Sequence, residues 1–370
     1  MNQDKTIRIL QIMPGGHVCG GIEMFVMNYY RRLVNQGVQF DFLFHYKEKG
    51  YFDDEIKSLG GEIYYFSIRE DKNILKYIYQ LFKFFAKHRE YKIIHGHMPG
   101  MGPIYFFVAM LCGIKVRISH AHVTETEKTL KGNILKRIIK IIPFLSNTYC
   151  ACSNAAGKFM YGSRSFKVIN NAIDTDKFVF NEYKRLVLRK ELNIENDFVV
   201  GHIGRFNIQK NHMFLLIVFS EILKLNGKSK LLLVGEGPEE NSIRRKAKDL
   251  GIESQVIFLG TRNDVCDLYN VMDCFVLPSI FEGLPIVGIE AQCNGLPSFF
   301  SDEITDELGV SDLANFLSLE EDERFWAKEI LEKSYVSRVD MKEFIMSADF
   351  DIRKEAKKLK NYYCSLSKNC

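Results

Sequence analysis

The chain alternates short apolar strands with amphipathic helices, and it does so twice over. That pattern restricts it to two open parallel sheets, each covered by helices on both faces. In the first half, strands are predicted at residues 7–13, 39–44, 62–66, 93–95 and 115–119, with helices at about 22–36, 72–88 and 104–112. The alternation restarts at 198–203 and continues through strands at 231–234, 256–259, 274–277 and 297–300. Between the two series, residues 178–196 are polar and charge-rich and read as a linker. At 370 residues the chain is long enough for two separate cores. We therefore expect domains at 1–180 and 181–345, followed by a tail at 346–370 whose residues 352–363 read as a basic amphipathic helix.

Bulk properties exclude several classes. No run of 18 apolar residues occurs, so no membrane-spanning helix is expected. The N-terminus leads directly into a strand and lacks the layout of a signal peptide. The 9 cysteines include no Cys-x-x-Cys pair, which fits a reducing cytoplasm and suggests neither a disulfide framework nor a zinc site. Residues 1–180 hold 25 Lys and Arg against 15 Asp and Glu, whereas the whole chain carries only +4. A basic first half suits an anionic partner. No helix-turn-helix or finger accompanies it, so nucleic acid is discounted.

The chemistry concentrates in Asp273-Cys-Phe-Val-Leu-Pro-Ser279, Ile280-Phe281 and Glu282-Gly-Leu-Pro-Ile-Val-Gly-Ile-Glu290. An apolar strand ends at Pro278 and Ser279, and Pro285 suits the first turn of a helix, where its missing N–H is not needed. Gly283 permits close backbone approach, and the free N–H groups of that turn favour an anion. Glu282 then lies at the loop mouth and Glu290 in the following helix, where one carboxylate can accept both hydroxyls of a ribose. Phosphate at the helix start, ribose on Glu290 and a sugar beside Glu282 make a coherent nucleotide-sugar site.

Strand, Pro-Ser, Phe-Glu-Gly-Leu-Pro and Glu-Ala together resemble the Glu-x7-Glu element of retaining GT-B glycosyltransferases of family 4, the glycosyl transferases group 1 that includes capsule and exopolysaccharide enzymes. The resemblance covers nearly the whole chain. It implies two Rossmann-like domains facing a central cleft, with a C-terminal helix crossing back to the first. It also implies that Gly283, Leu284, Pro285 and Glu290 hold the nucleotide and that Glu282 serves the donor sugar.

Other segments fit the same reading. In Gly204-Arg205-Phe-Asn-Ile-Gln-Lys210-Asn211, Arg205 can fork onto phosphate oxygens while Lys210 supplies a point charge. Together they can neutralise a leaving diphosphate, so no metal and no cofactor is expected. The resemblance places Gly20-Gly21 beside the phosphates, Gly235 on the nucleotide side and the backbone at Arg262 against the base, with Asp264 capping the next helix. It also places a histidine near the donor sugar; His120, at a strand end, is favoured over His122. His95 and His97 have no assigned role. A metal cluster of these four is disfavoured because the pairs fall on different strands. The triplets Asp174-Thr-Asp176 and Asp349-Phe-Asp351 could in principle hold a metal on a diphosphate, as in transferases of another fold.

The resemblance thus implies transfer of a hexosyl unit from a UDP-sugar to a hydroxyl, with retained configuration. The expected acceptor is a lipid-linked saccharide. A nucleotide-sugar 2-epimerase and a non-catalytic binding subunit are the alternatives. Residues 128–145 interleave Leu130, Ile134, Ile138, Ile141, Ile142 and Leu145 with Lys131, Lys136, Arg137 and Lys140. A second basic aromatic stretch runs from Lys76 through Phe82, Phe84 and Phe85 to Lys87. Both suggest a cytoplasmic protein held peripherally on the inner face of the membrane through its first domain, although ordinary helices packed on a sheet would look the same.

Overall fold

The computed structural model describes residues 6–15, 20–66, 68–126 and 129–368. Residues 16–19 of the loop after the first strand, and Lys128 at the start of the basic stretch, lie outside the described residues. The chain divides into two compact units: residues 1–172 with 352–370, and residues 173–351.

The first unit holds a seven-stranded sheet: β1 (Ile7–Met13), β2 (Val38–Phe44), β3 (Ile63–Tyr65), β4 (Ile93–Gly96), β5 (Val116–Ala121), β6 (Thr148–Ala151) and β7 (Lys167–Val168). The spatial order is β3-β2-β1-β4-β5-β6-β7, with every pairing parallel. The order reverses between β1 and β4, the position where open α/β sheets leave a crevice at the strand ends. The helix Ile352–Ser367 belongs to this unit. It buries Ile352, Ala356, Leu359 and Tyr363 in the core that holds Phe25, Tyr29 and Phe40.

The second unit holds β8 (Phe198–Ile203), β9 (Ser229–Val234), β10 (Val256–Phe258), β11 (Cys274–Leu277), β12 (Ser298–Ser301) and β13 (Ala314–Leu317). Their order is β10-β9-β8-β11-β12-β13, again all parallel, with the reversal between β8 and β11. Central strands are buried on both faces, and β8 and β11 have no exposed residue.

The segment read as a linker is structured. Residues Glu182–Glu191 form a helix whose N-cap Asn181 accepts from Lys184 N at 3.0 Å. Arg185 and Arg189 both reach Asp273, each at 2.5 Å, and tie the helix to the start of β11. Its mean polarity hid a one-sided role: two arginines converge on one partly buried carboxylate. β6, β7 and β13 were also missed, because short strands with polar residues acquire their identity from the neighbour they pair with.

The basic stretch is two helices, Leu130–Ile139 and Ile142–Leu145, rather than one. Ile139 and Ile142 face the core, but Leu130 and Phe144 stay more than 70% exposed, and Ile134 and Ile141 about half. The neighbouring helices Ile74–Lys87 and Gly102–Leu111 add exposed Ile74, Leu75, Tyr79, Phe82, Phe107 and Leu111. No helix among the described residues is long and apolar enough to cross a membrane.

Candidate active site

In the second unit, the loops after β8 and β11 flank the point where strand order reverses. Gln209 joins them: its Nε2 donates to Phe281 O at 2.9 Å, while its own carbonyl accepts from Ile280 N at 2.9 Å. Asn207 accepts from Lys210 N at 3.1 Å, and Asn211 adopts a left-handed φ of 56°, turning the chain into the helix His212–Leu225. This scaffold brings Lys210 Nζ to 2.7 Å from Glu282 Oε1, with both side chains at most 14% exposed. Arg205 is exposed, and its guanidinium makes no ion pair among the described residues. It remains available for a phosphate, whereas Lys210 is already held beside a carboxylate.

Close approach of the next loop depends on glycine. Gly235 has a φ of 131°, and a Cβ there would lie 2.1 Å from Gly204 O. The backbone after β9 thus presses directly onto the Gly204-Arg205 turn. His202 and His212 lie beneath Lys210, their rings 4.5 Å apart. Burial pushes His202 down to about 3 against the opposing hydrogen bond to Val276 O, and burial followed by the neighbouring His202 pushes His212 to about 2, with Lys210 adding a smaller push to each. Both shifts favour the neutral imidazole.

Glu290 lies in the helix Ile286–Cys293, and Pro285 is the extended residue just before it rather than part of its first turn. The Glu290 carboxylate is 6% exposed and accepts from Tyr269 Oη at 2.8 Å. Burial raises its pKa to about 7, while the Tyr269 hydrogen bond works the other way. Gly283, Leu284 and Pro285 are buried alongside it. Tyr269 carries no motif and Gln209 was given no role within the Gly204–Asn211 segment, since each acts by reaching a residue far along the chain.

Asp264 stands at the N-cap of the helix Val265–Val271 but makes no capping hydrogen bond. Its carboxylate is taken instead by Arg262, at 2.8 and 2.6 Å, which corrects the capping role expected for it. Asp351 accepts from Thr175 Oγ1 at 2.8 Å, and Asp176 pairs with Lys342 at 2.6 Å.

In the first unit, Gly20 is the extended N-cap of the helix Gly21–Leu33, and a Cβ on Gly21 would meet nothing within 4 Å. His120 is buried, while His122, just past the end of β5, is half-buried. The two histidine pairs do fall on different strands, but β4 and β5 are neighbours, so His95, His97, His120 and His122 form one cluster. Strand separation therefore does not keep the pairs apart.

Two parallel α/β units, with a carboxylate-paired lysine at one reversal of strand order and a buried glutamate in the helix that follows, belong to the GT-B class of glycosyltransferase fold. The profile described as Glycosyl transferases group 1 matches residues 184–306, and that of Glycosyltransferase Family 4 matches residues 19–177. The Bacillus subtilis protein EpsF, named as a glycosyltransferase, is 30% identical over 98% of this chain and 97% of its own. The chain belongs to this family of glycosyltransferases. The Staphylococcus aureus capsular polysaccharide biosynthesis glycosyltransferase CapH is 27% identical over 94% of this chain and 96% of its own. An Escherichia coli UDP-Gal:α-D-GlcNAc-diphosphoundecaprenol α-1,3-galactosyltransferase is 27% identical over 79% of this chain and 78% of its own. Among solved structures, Anabaena HepE in complex with UDP and glucose has a TM-score of 0.80 at 17% identity, covering 97% of this chain and 100% of that one.

Proposed function

We propose that this glycosyltransferase moves a hexosyl unit from a UDP-sugar to a hydroxyl of a lipid-linked saccharide, with retained configuration and without a metal ion, in assembly of a surface polysaccharide. The observation that carries this reading is the grouping of Lys210, Glu282 and Glu290 around the β8–β11 reversal, with Arg205 exposed on the same loop as Lys210. Glu290 accepts the ribose hydroxyls. Arg205 and Lys210 neutralise the charge that develops on the departing diphosphate. Gly20, Gly21, Gly235, Gly283, Leu284 and Pro285 leave backbone near the nucleotide, and the Arg262 backbone meets the base. Glu282 and His120 act on the donor sugar.

The choice of UDP is supported by the uridine nucleotide in the HepE complex and in the name of the Escherichia coli relative. The diphosphoundecaprenol in that name supports the lipid-linked acceptor. The exposed apolar side chains and cations of residues 130–144 support docking of the first unit on an anionic leaflet, each nearby cation contributing about 1 kcal/mol.

The test is a donor screen by nucleotide release, with extracted lipid-linked saccharides as acceptor. Acceptor-dependent UDP release with the product's anomeric configuration retained is expected. Donor binding in calorimetry with no turnover across the screen would instead favour a binding subunit. Isomerised nucleotide-sugar without transfer would favour an epimerase.

A further inference from the structure

The four histidines of the first unit form two hydrogen-bonded chains. In one, Tyr363 Oη lies 2.7 Å from His95 Nδ1, and His95 Nε2 lies 3.1 Å from His120 Nδ1. In the other, Gln11 Oε1 lies 2.9 Å from His97 Nε2, and His97 Nδ1 lies 2.8 Å from His122 Nε2. The chains run side by side, with His95 stacked on His97 at 4.4 Å and His120 on His122 at 4.2 Å between ring centroids. Phe25 stands edge-on to His120 at 5.0 Å and to His122 at 5.5 Å.

A neutral imidazole has one donor and one acceptor nitrogen, so a fixed partner at the head of a chain determines every ring behind it. Burial lowers the pKa of His95, His97 and His120, and that of the half-buried His122 as well, which favours the neutral form of each ring near pH 7. In the arrangement proposed below, the Tyr363 hydroxyl donates a hydrogen bond to the lone pair of His95 Nδ1. His95 then donates from Nε2 to His120 Nδ1, which leaves His120 with a proton on Nε2. That nitrogen is buried and makes no hydrogen bond in the structure. Gln11 heads the second chain with a carbonyl oxygen, which only accepts. His97 therefore carries its proton on Nε2 and accepts at Nδ1 from His122 Nε2–H, leaving His122 a lone pair on Nδ1. Burial raises the pKa of the Tyr363 hydroxyl and the Gln11 side chain works against it, as a donor toward Tyr363 Oη would.

We propose that Tyr363 and Gln11 are positioning residues that give the two chains opposite proton polarity. The stacked pair His120 and His122 then offers one N–H donor and one acceptor nitrogen, complementary to neighbouring hydroxyls of a sugar. The link to the sugar rests on the donor-sugar role proposed above for this strand end; the proton arrangement does not. Nitrogens of His95, His97 and His120 also lie within 4.8 Å of one another, a spacing that a transition metal would accept. A metal would need the same lone pairs that the chains consume, so the two readings exclude each other.

Full-length protein labelled with ¹⁵N-histidine separates them. Long-range ¹H–¹⁵N correlation should show all four rings as neutral Nε2–H tautomers near neutral pH. Tyr363→Phe should mix the tautomers of His95 and His120 only, and Gln11→Leu those of His97 and His122 only. A wild-type ring of the four found as Nδ1–H or imidazolium would overturn the proposal. So would tautomers unchanged in both variants. Addition of Co²⁺ should leave the four N–H signals in place; their loss, with a visible absorption band, would assign the cluster to a metal. The donor KM should rise about tenfold in each variant with kcat changed less. An unchanged KM alongside shifted tautomers would overturn the link to the sugar, whereas wild-type nucleotide release tests the glycosyltransferase reading separately.

Discussion

Lys210 Nζ and Glu282 Oε1 are 2.7 Å apart, and this ion pair fastens the loop after β8 to the loop after β11 at the reversal of strand order. Glu282 is 72 residues beyond Lys210 in the chain, so the pair reports the tertiary fold directly. On the proposed function, each residue then has a chemical duty beside this structural one.

Lys210→Ala should therefore damage both stability and activity. It leaves a mostly buried carboxylate without its cation, a change that costs up to about 3 kcal/mol. Turnover should fall at least about a hundredfold, the scale of losing one preorganised charge stabiliser. Lys210→Met with Glu282→Gln should recover much of the stability in urea denaturation and none of the turnover. A Lys210→Ala enzyme with normal kcat would sink the role assigned to this residue.

Arg205 separates the two effects. Its exposed guanidinium makes no ion pair among the described residues, so Arg205→Ala should shift stability by no more than about 0.5 kcal/mol. Its kcat should nevertheless fall about a hundredfold. Wild-type activity should survive EDTA. Loss of activity in EDTA with rescue by Mn²⁺ would show that a metal, not these cations, carries the diphosphate charge.

Glu290 predicts a pH dependence. Its pKa is raised from 4.5 to about 7, chiefly by burial, and only the ionised form accepts both ribose hydroxyls. Donor KM should therefore fall as pH rises through about 7. Because the folded pKa is the higher one, the associated contribution to stability is complete below about 4.5 and is lost as pH rises through about 7. Tyr269→Phe removes a hydrogen bond that lowers this pKa, so the kinetic transition should move to higher pH. Glu290→Gln should abolish the transition and raise KM or lower turnover roughly tenfold to a hundredfold. A donor KM profile identical in wild type and Glu290→Gln would remove Glu290 from the ribose site.

The exposed apolar side chains of the first unit predict membrane docking. Sedimentation with anionic liposomes should be strong at low salt and fade as salt rises, since surface charge is screened within about 10 Å at 0.1 M. Leu130→Ser with Phe144→Ser should weaken it, because both side chains are more than 70% exposed. Equal binding to neutral and anionic liposomes would reject electrostatic docking.

The central strands and the loops that bring Lys210 and Glu282 together were legible because each carries a local signature. β1, β8 and β11 match the strands read from apolar runs, Arg205, Lys210 and Glu282 lie in the segments that follow β8 and β11, and Glu290 lies in the middle of the helix after β11. What the sequence hid depends on distant partners. The Lys210–Glu282 contact, the Tyr269 bond to Glu290 and the clamp of Arg185 and Arg189 on Asp273 each join segments separated by more than 20 residues. The histidine cluster was misjudged for the same reason. Placing His95 and His97 on one strand and His120 and His122 on another says nothing until β4 and β5 are known to pair.

The helix Ile352–Ser367 has a consequence for how this protein is made. A ribosome delivers β1 through β7 early, yet Tyr363, the partner of His95, is 268 residues further on. The whole of residues 173–351 must emerge before the first unit can complete its core. During synthesis that unit waits with Phe25, Tyr29 and Phe40 incompletely covered, while the second unit has all of its own sequence in hand. The part that begins the chain is thus the last to be finished. A chain stalled after residue 351 but before Tyr363 would hold a complete second unit and an unfinished first one, a natural substrate for chaperones and proteases.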